Sequence, residues 1–327
     1  MKERVFSGIQ PTGNIHIGNY LAAVRRWVEL QNEYENLFCI VDLHAITVPQ
    51  DPSMLKAKIR ETAGLLFAAG IDPEKSSVFV QSHLSAHAEL AWILNCIIPL
   101  GWMQRMTQFK EKSARQRRTV STGLFDYPAL MAADILLYQA DLVPVGEDQR
   151  QHIELTRDAA RRFNAIYGET FRIPEAVIPE VGARIMDLAD PLKKMSKSGP
   201  GGAMAIGLLD TPEAVRSKIM KAQTDSLRDI RFDEGRPGIH NLLVIYELFT
   251  GMARTAIERH FSAKGYADLK RELAEIIIGN LSPLQSHYRE LTSDPSYINH
   301  LLTEGAQRVR PLAERTLSLV KERMGLG

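Results

Sequence analysis

The chain has 327 residues, 45% of them hydrophobic, and a formal net charge of +1. That is apolar material enough for two domains, and a charge too near zero for a protein that coats nucleic acid through many phosphate contacts, though a local basic patch stays open. The charged start Met1 to Phe6 has no apolar leader and no run of about 18 apolar residues follows, so no membrane span and a reducing, cytoplasmic setting are expected.

Arg4 to Gly8 reads as a first strand, and Ile9-Gln10-Pro11-Thr12-Gly13 as a turn. A helix is predicted from about Gly18 to Gln31, then a strand over Leu37 to Val41. A helix from Pro52 to Ala69 stops at Gly70, and a strand at Ser77 to Gln81 leads into an apolar helix from Ala86 to Ile98. Cys39 and Cys96 fall inside the strand and the last helix, and both are expected to be small buried hydrophobes. Gln108 to Arg118 breaks the pattern, with Lys110, Lys112, Arg115, Arg117 and Arg118 against Glu111. It reads either as a solvated helix and loop or as an electropositive edge near a phosphate. A helix from Pro128 to Gln139, a strand at Leu142 to Val145 and a helix from near Asp148 to Tyr167 resume the alternation. Strands alternating with helices imply an α/β fold, a parallel sheet covered on both faces.

Near residue 186 the character changes. A polar run, Asp190 to Ser198, precedes Gly199-Pro200-Gly201-Gly202, a plausible hinge. Helices are then predicted at Thr211 to Ala222, His240 to Phe249, Tyr266 to Leu281 and Pro311 to Met324. Thr211-Pro212 is a helix start, a capping residue followed by Pro at the first helical position.

Four stretches carry candidate chemistry. Pro11 to Asn19 joins the first strand to the first helix, where a parallel sheet binds ligands; Gly18 admits close approach, and His16 and Asn19 can donate to phosphate, or the stretch is a turn with a helix cap. Lys193 to Ser198 gathers three lysines and two hydroxyls, suited to pyrophosphate as it leaves, or is a solvated loop. Tyr127, Met131 and Asp134 share a helix face, with Ala129, Ala132 and Ala133 as small neighbours that leave room for a ligand. Asp134 there needs a donor, which an indole N–H, an Arg or a backbone amide could supply. Val143 to Gln149 is a strand end, a Gly and an acidic helix start; Asp148 either caps the helix or orients an amine or ribose. His44 is a strand-end residue of the same kind, His152 is read as structural, and no metal-ligand spacing occurs.

Phe6 to Gly13, Ile15-His16-Ile17-Gly18-Asn19 and Lys194-Met195-Ser196-Lys197-Ser198 resemble, in order, the opening and the two class I signatures of bacterial tryptophanyl-tRNA synthetases. Met106 to Ser113, Leu130 to Tyr138, Val143 to Gln149 and Gly182 to Met186 are similar to the same family, and the resemblance runs to Gly327. It implies a Rossmann-like catalytic domain over 1–186, completed by C-terminal helices 287–327, and a smaller all-helical, anticodon-reading domain over 187–286 that begins with the signature loop. The implied activity is ATP-dependent attachment of L-tryptophan to tRNA(Trp) through an adenylate, by a homodimer using ATP with Mg2+ and no dedicated protein metal site.

The same resemblance implies roles. Asp134 accepts the indole N–H; Phe6, Met131, Val143 and Val145 line the ring pocket with His44 nearby; Tyr127 and Gln149 take the ammonium. Gln10, Thr12, His16, Gly18, Asn19, Gly146, Asp148, Arg184 and Met195 meet ATP or lie beside it, Gln10 also near the amino acid's carboxylate. Lys112, Lys194, Ser196 and Lys197 engage the phosphates, and the basic stretch could receive the tRNA acceptor end. The chain departs from the family at His16, often Thr, at Gly199, often Asp, in the less acidic Gly101 to Arg105, and in the more basic Ala114 to Val120. The rivals are a tyrosyl-tRNA synthetase and an inactive synthetase-like protein that binds RNA or a protein partner.

Overall fold

A computed structural model describes residues 2–107, 121–178, 185–196, 204–227 and 229–326. Five parallel strands, β1 (Arg4–Ile9), β2 (Glu35–Ile40), β3 (Ser76–Val80), β4 (Leu142–Pro144) and β5 (Glu175–Val177), form one sheet in the order β3-β2-β1-β4-β5. The chain leaves β1 on one side for β2 and β3, and returns on the other for β4. The crevice beyond the carboxyl ends of β1 and β4 is therefore the switch point, where doubly wound sheets bind ligands.

Alternate residues feed two cores. Phe6, Leu37, Cys39 and Phe79 enter one, while Phe38, Ile40, Val78 and Val80 enter the other, so both faces are covered. A third core holds Ile17 and Leu65 together with Met195, Ile206, Val215, Leu243 and Ile277, so the helical part packs onto the first helices of the sheet unit.

Several elements differ from their predicted spans. The first helix is continuous but changes pitch: Ile17–Asn19 is α, Tyr20–Val24 is π and Arg25–Leu30 is α again. The helix predicted from Pro128 runs instead over Thr122–Leu136, capped by the Ser121 hydroxyl, with Pro128 inside it. Tyr266–Thr292 passes through Pro283, and Pro295–Met324 passes through Pro311. The prolines predict a break in each; buried Leu284, and Val309 with Ala313, hold the helices together across the lost hydrogen bond. The boundary expected at 286/287 falls inside the unbroken helix Tyr266–Thr292. Strand β5, with only Val177 strongly apolar, and the helix Arg254–Phe261 had not been anticipated. Cys39 is buried as expected, but Cys96 is exposed, because it caps the end of helix Ala86–Asn95 one turn beyond the exposed Trp92.

The last helix lies against β3, the outermost strand on its side. At Gly305 a side-chain carbon would sit 1.9 Å from the Val78 carbonyl oxygen, so only glycine permits that approach. Covering an edge strand in this way removes a site for unwanted pairing.

Candidate active site

Strand β1 ends at the turn through Gly13, whose φ of 63° is left-handed. Beyond it His16 caps the first helix. Its Nδ1 accepts from the Asn19 backbone N–H at 3.3 Å, and the Asn19 Oδ1 accepts from the His16 N–H at 3.3 Å. An accepting Nδ1 carries no proton, so Nε2–H is the donor this ring can offer. A side chain at Gly18 would meet that Nδ1 at 2.9 Å, so the glycine makes room for the buried imidazole. The helix-cap reading of this stretch is thus realised, and Gly18 and Asn19 sit at the helix N-terminus where phosphates bind. Thr12 is half-buried and Gln10 exposed.

The first signature is stitched to the segment after the second. The Ile17 N–H donates to the Ile206 carbonyl and the Leu208 N–H to the Ile15 carbonyl, each at 2.9 Å. The second signature begins on a short ladder in which the Met195 N–H donates to Ile185 O at 2.9 Å. The Met195 side chain is buried in the third core, so it anchors the segment. Asn241, buried on the helix Pro237–Thr250, both donates to Met186 O at 2.9 Å and accepts from Met186 N–H at 2.8 Å. Lys194 and Ser196 are exposed, while Lys193 is held by Asp190 at 2.6 Å, a pairing that lowers the Asp190 carboxyl. Lys112, Arg184, Lys197, the stretch 108–118 and the hinge glycines lie outside the described residues.

A dense polar cluster lies beyond the carboxyl ends of β2 and β3. Asp134, 1% exposed on the helix Thr122–Leu136, receives three short hydrogen bonds. His44 Nε2 and Gln81 Nε2 each lie 2.7 Å from it, on Oδ2 and Oδ1 respectively, and His87 Nδ1 lies 2.7 Å from Oδ1. Burial alone would push this carboxyl up; the two histidines outweigh it, and the group is held below the usual carboxylate range. Among the described residues, the donors to Asp134 are these side chains and neither an Arg nor a backbone amide. Phe6, Val143 and the half-buried Met131 and Val145 pack in the same core, and Phe6 stacks on Tyr138 at 5.7 Å. Ala129, Ala132 and Ala133 are wholly buried there, and their helix packs closely on the helix Ala86–Asn95.

The Tyr127 ring meets His44 edge-on at 6.2 Å, and its hydroxyl shares a 2.8 Å hydrogen bond with His152 Nε2. Burial pushes the Tyr127 hydroxyl up to about 12, so it is a neutral phenol at physiological pH. Gly146, Asp148 and Gln149 follow β4 on a single 3-10 turn, Glu147–Gln149. Asp148 is exposed and makes no helix cap; its Oδ2 accepts from Gln149 Nε2 at 3.0 Å. The sequence singles out Asp134 and His44, which the structure brings together, but not Gln81, His87, Tyr138 or Asn241. Only polarity within apolar elements marked these four. Among the described residues, no three His, Cys, Asp or Glu side chains converge as a metal site, and no helix is long and apolar enough to cross a membrane.

The family model described as tRNA synthetases class I (W and Y) matches residues 2–282. The tryptophan--tRNA ligase of Wolinella succinogenes is 56% identical over 326 residues, covering 100% of this chain and 99% of that protein. The tryptophanyl-tRNA synthetase structure from Mycoplasma pneumoniae superposes with a TM-score of 0.92 at 39% identity, covering 100% of this chain and 99% of that one. The Campylobacter jejuni enzyme, in complex with ADP and tryptophan, gives 0.87 at 34%, covering 99% and 100%.

Proposed function

This chain belongs to the class I tRNA synthetases of the tryptophan and tyrosine group, and from that premise we propose that it is the tryptophan-specific enzyme, which joins L-tryptophan to its tRNA using ATP. A tryptophan carboxylate oxygen attacks the α-phosphorus, the bond to the β-phosphate bridge breaks, and pyrophosphate leaves. A ribose hydroxyl of the tRNA's terminal adenosine then attacks the activated carbonyl and releases AMP. Magnesium enters with ATP as part of that substrate.

The observation that carries the choice of amino acid is Asp134. It is ionised and buried, and three donors leave it one free lone pair beside an apolar core. A carboxylate accepts only, and an indole N–H donates only. Phe6, Met131, Val143 and Val145 would hold the ring, Tyr127 and Gln149 the ammonium, and Gln10 would lie near the carboxylate. Thr12, His16, Gly18, Asn19, Gly146, Asp148, Arg184 and the Met195 backbone would hold the nucleotide. Lys112, Lys194, Ser196 and Lys197 would neutralise the phosphates as charge develops, which lowers the barrier without a protein nucleophile.

The working unit in this reading is a cytoplasmic homodimer. The exposed Trp92 and Leu100, beside Cys96, offer the apolar surface that a second copy would cover. The remaining helices, 187–286, would read the anticodon. Charging of tRNA(Trp) with labelled tryptophan tests the reading. Charging with tryptophan supports it; charging with tyrosine alone makes the protein a tyrosyl enzyme, and binding of tRNA without charging makes it an inactive relative.

A further inference from the structure

Three donors on one buried carboxylate do more than keep it charged. The terminal torsion of an Asp is soft and roughly two-fold, so its own chain does not fix which oxygen faces a ligand. Here the donors come from three different places: His44 from the turn Asp42–Ala45, Gln81 from the turn after β3, and His87 from the helix Ala86–Asn95. Gln81 and His87 both bond to Oδ1 and so occupy its two lone pairs. His44 occupies one lone pair of Oδ2, and the other is what remains.

His87 is itself held. It is fully buried, and its Nε2 lies 2.8 Å from the Tyr138 hydroxyl. Nδ1 faces an acceptor-only carboxylate, so Nδ1 carries a proton. Burial pushes the Tyr138 hydroxyl up strongly, so it remains an O–H as it shares the hydrogen bond with Nε2. Tyr138 is also the ring on which Phe6 stacks. The relay Tyr138 to His87 to Asp134 therefore joins the Phe6 ring of the apolar wall to the buried carboxylate.

We propose that His87, braced by Tyr138, is a positioning residue for amino-acid selection: by saturating Oδ1 of Asp134 it directs the one open acceptor site to an indole N–H. The inference rests on the reading of Asp134 as the indole acceptor. Without His87, Oδ1 regains a free lone pair, the carboxylate can turn, and the preference for a donor-bearing ring weakens.

The test compares tryptophan with 3-benzothienyl-L-alanine, whose sulfur replaces the N–H and donates nothing, in amino-acid-dependent pyrophosphate exchange. The readout is the ratio of the two kcat/KM values. In His87→Leu the ratio is expected to fall roughly 10- to 100-fold, through tryptophan alone, as befits one charge-assisted hydrogen bond. His87→Asn, which keeps a donor near the Nδ1 position, should restore most of it. Benzothienylalanine activation by the same preparation shows that the protein is folded. Should His87→Leu not fold, Tyr138→Phe carries the test, with a fall of about threefold expected from one neutral hydrogen bond. Equal losses for both amino acids would make His87 merely structural and overturn the inference while leaving Asp134 as acceptor. A wild-type protein that does not discriminate between the two would remove Asp134 as acceptor, and the inference with it.

Discussion

Gly305→Ala sets two opposing effects against each other at one atom. In an open helix the change stabilises by about 1 kcal/mol, because alanine restricts the unfolded chain and favours the helix. At residue 305 the new carbon would lie 1.9 Å from Val78 O and 2.8 Å from Val78 C, both backbone atoms that cannot swing away. Reaching an ordinary 3.4 Å contact requires the helix Pro295–Met324 and strand β3 to separate by about 1.5 Å at that point (3.4 less 1.9). That strips packing from Leu302, Ala306 and Val309. Overpacking of this severity costs about 3 kcal/mol, so the net is a loss of about 2 kcal/mol. By the usual scaling for a chain of this size, thermal unfolding followed by circular dichroism should show Tm lowered by about 3 °C. The matched control is Gly279→Ala, at an exposed helical position with nothing within 4 Å, where Tm should hold or rise. The damage should also reach the site. Val78 lies three residues before Gln81, whose amide holds Asp134, so KM for tryptophan should rise while KM for ATP holds. A Gly305→Ala protein as stable as its parent would refute the seating of the last helix on β3.

Asp134→Asn puts an amide donor among three donors, so tryptophan activation should lose about 10- to 100-fold in kcat/KM, measured by pyrophosphate exchange. Lys194→Ala removes an exposed cation from the second signature; its kcat for activation should fall about 100-fold or more with tryptophan affinity unchanged, because its contacts form as charge develops. In the helical part, hydrogen bonds from the buried Arg236, opposed by burial and helped by Tyr266, hold the Asp225 carboxyl well below the usual carboxylate range. A depressed carboxylate contributes stability that is complete above its ordinary value of about 4 and is lost as pH falls from there. Asp225→Asn should cost about 1–3 kcal/mol at pH 7 and flatten the loss of stability below pH 4, as read by urea titration across pH.

The parallel sheet was legible because β1 to β4 each carry a short apolar stretch between helices. The prolines misled where tertiary burial overrides a local rule: Pro128, Pro283 and Pro311 all lie inside helices whose neighbouring residues are packed. Asp134 stood out as a charge in an apolar helix. Its partners did not, since Gln81 and His87 are unremarkable until the fold places both at Oδ1. His16 shows the converse. The residue was singled out for phosphate, and its first duty is to cap the helix that would receive it. Asn241 was invisible for a different reason: it lies 55 positions from the backbone that it clamps, and no local pattern encodes a bond across that distance.

The most direct test is exchange of labelled pyrophosphate into ATP without tRNA, run with tryptophan and with tyrosine in separate reactions. Exchange driven by tryptophan and not by tyrosine is the expected result, because the buried Asp134 acceptor and its apolar surroundings suit an indole. Exchange driven by tyrosine in its place, from a folded preparation, would contradict the assignment of that carboxylate and with it the identity of the amino acid.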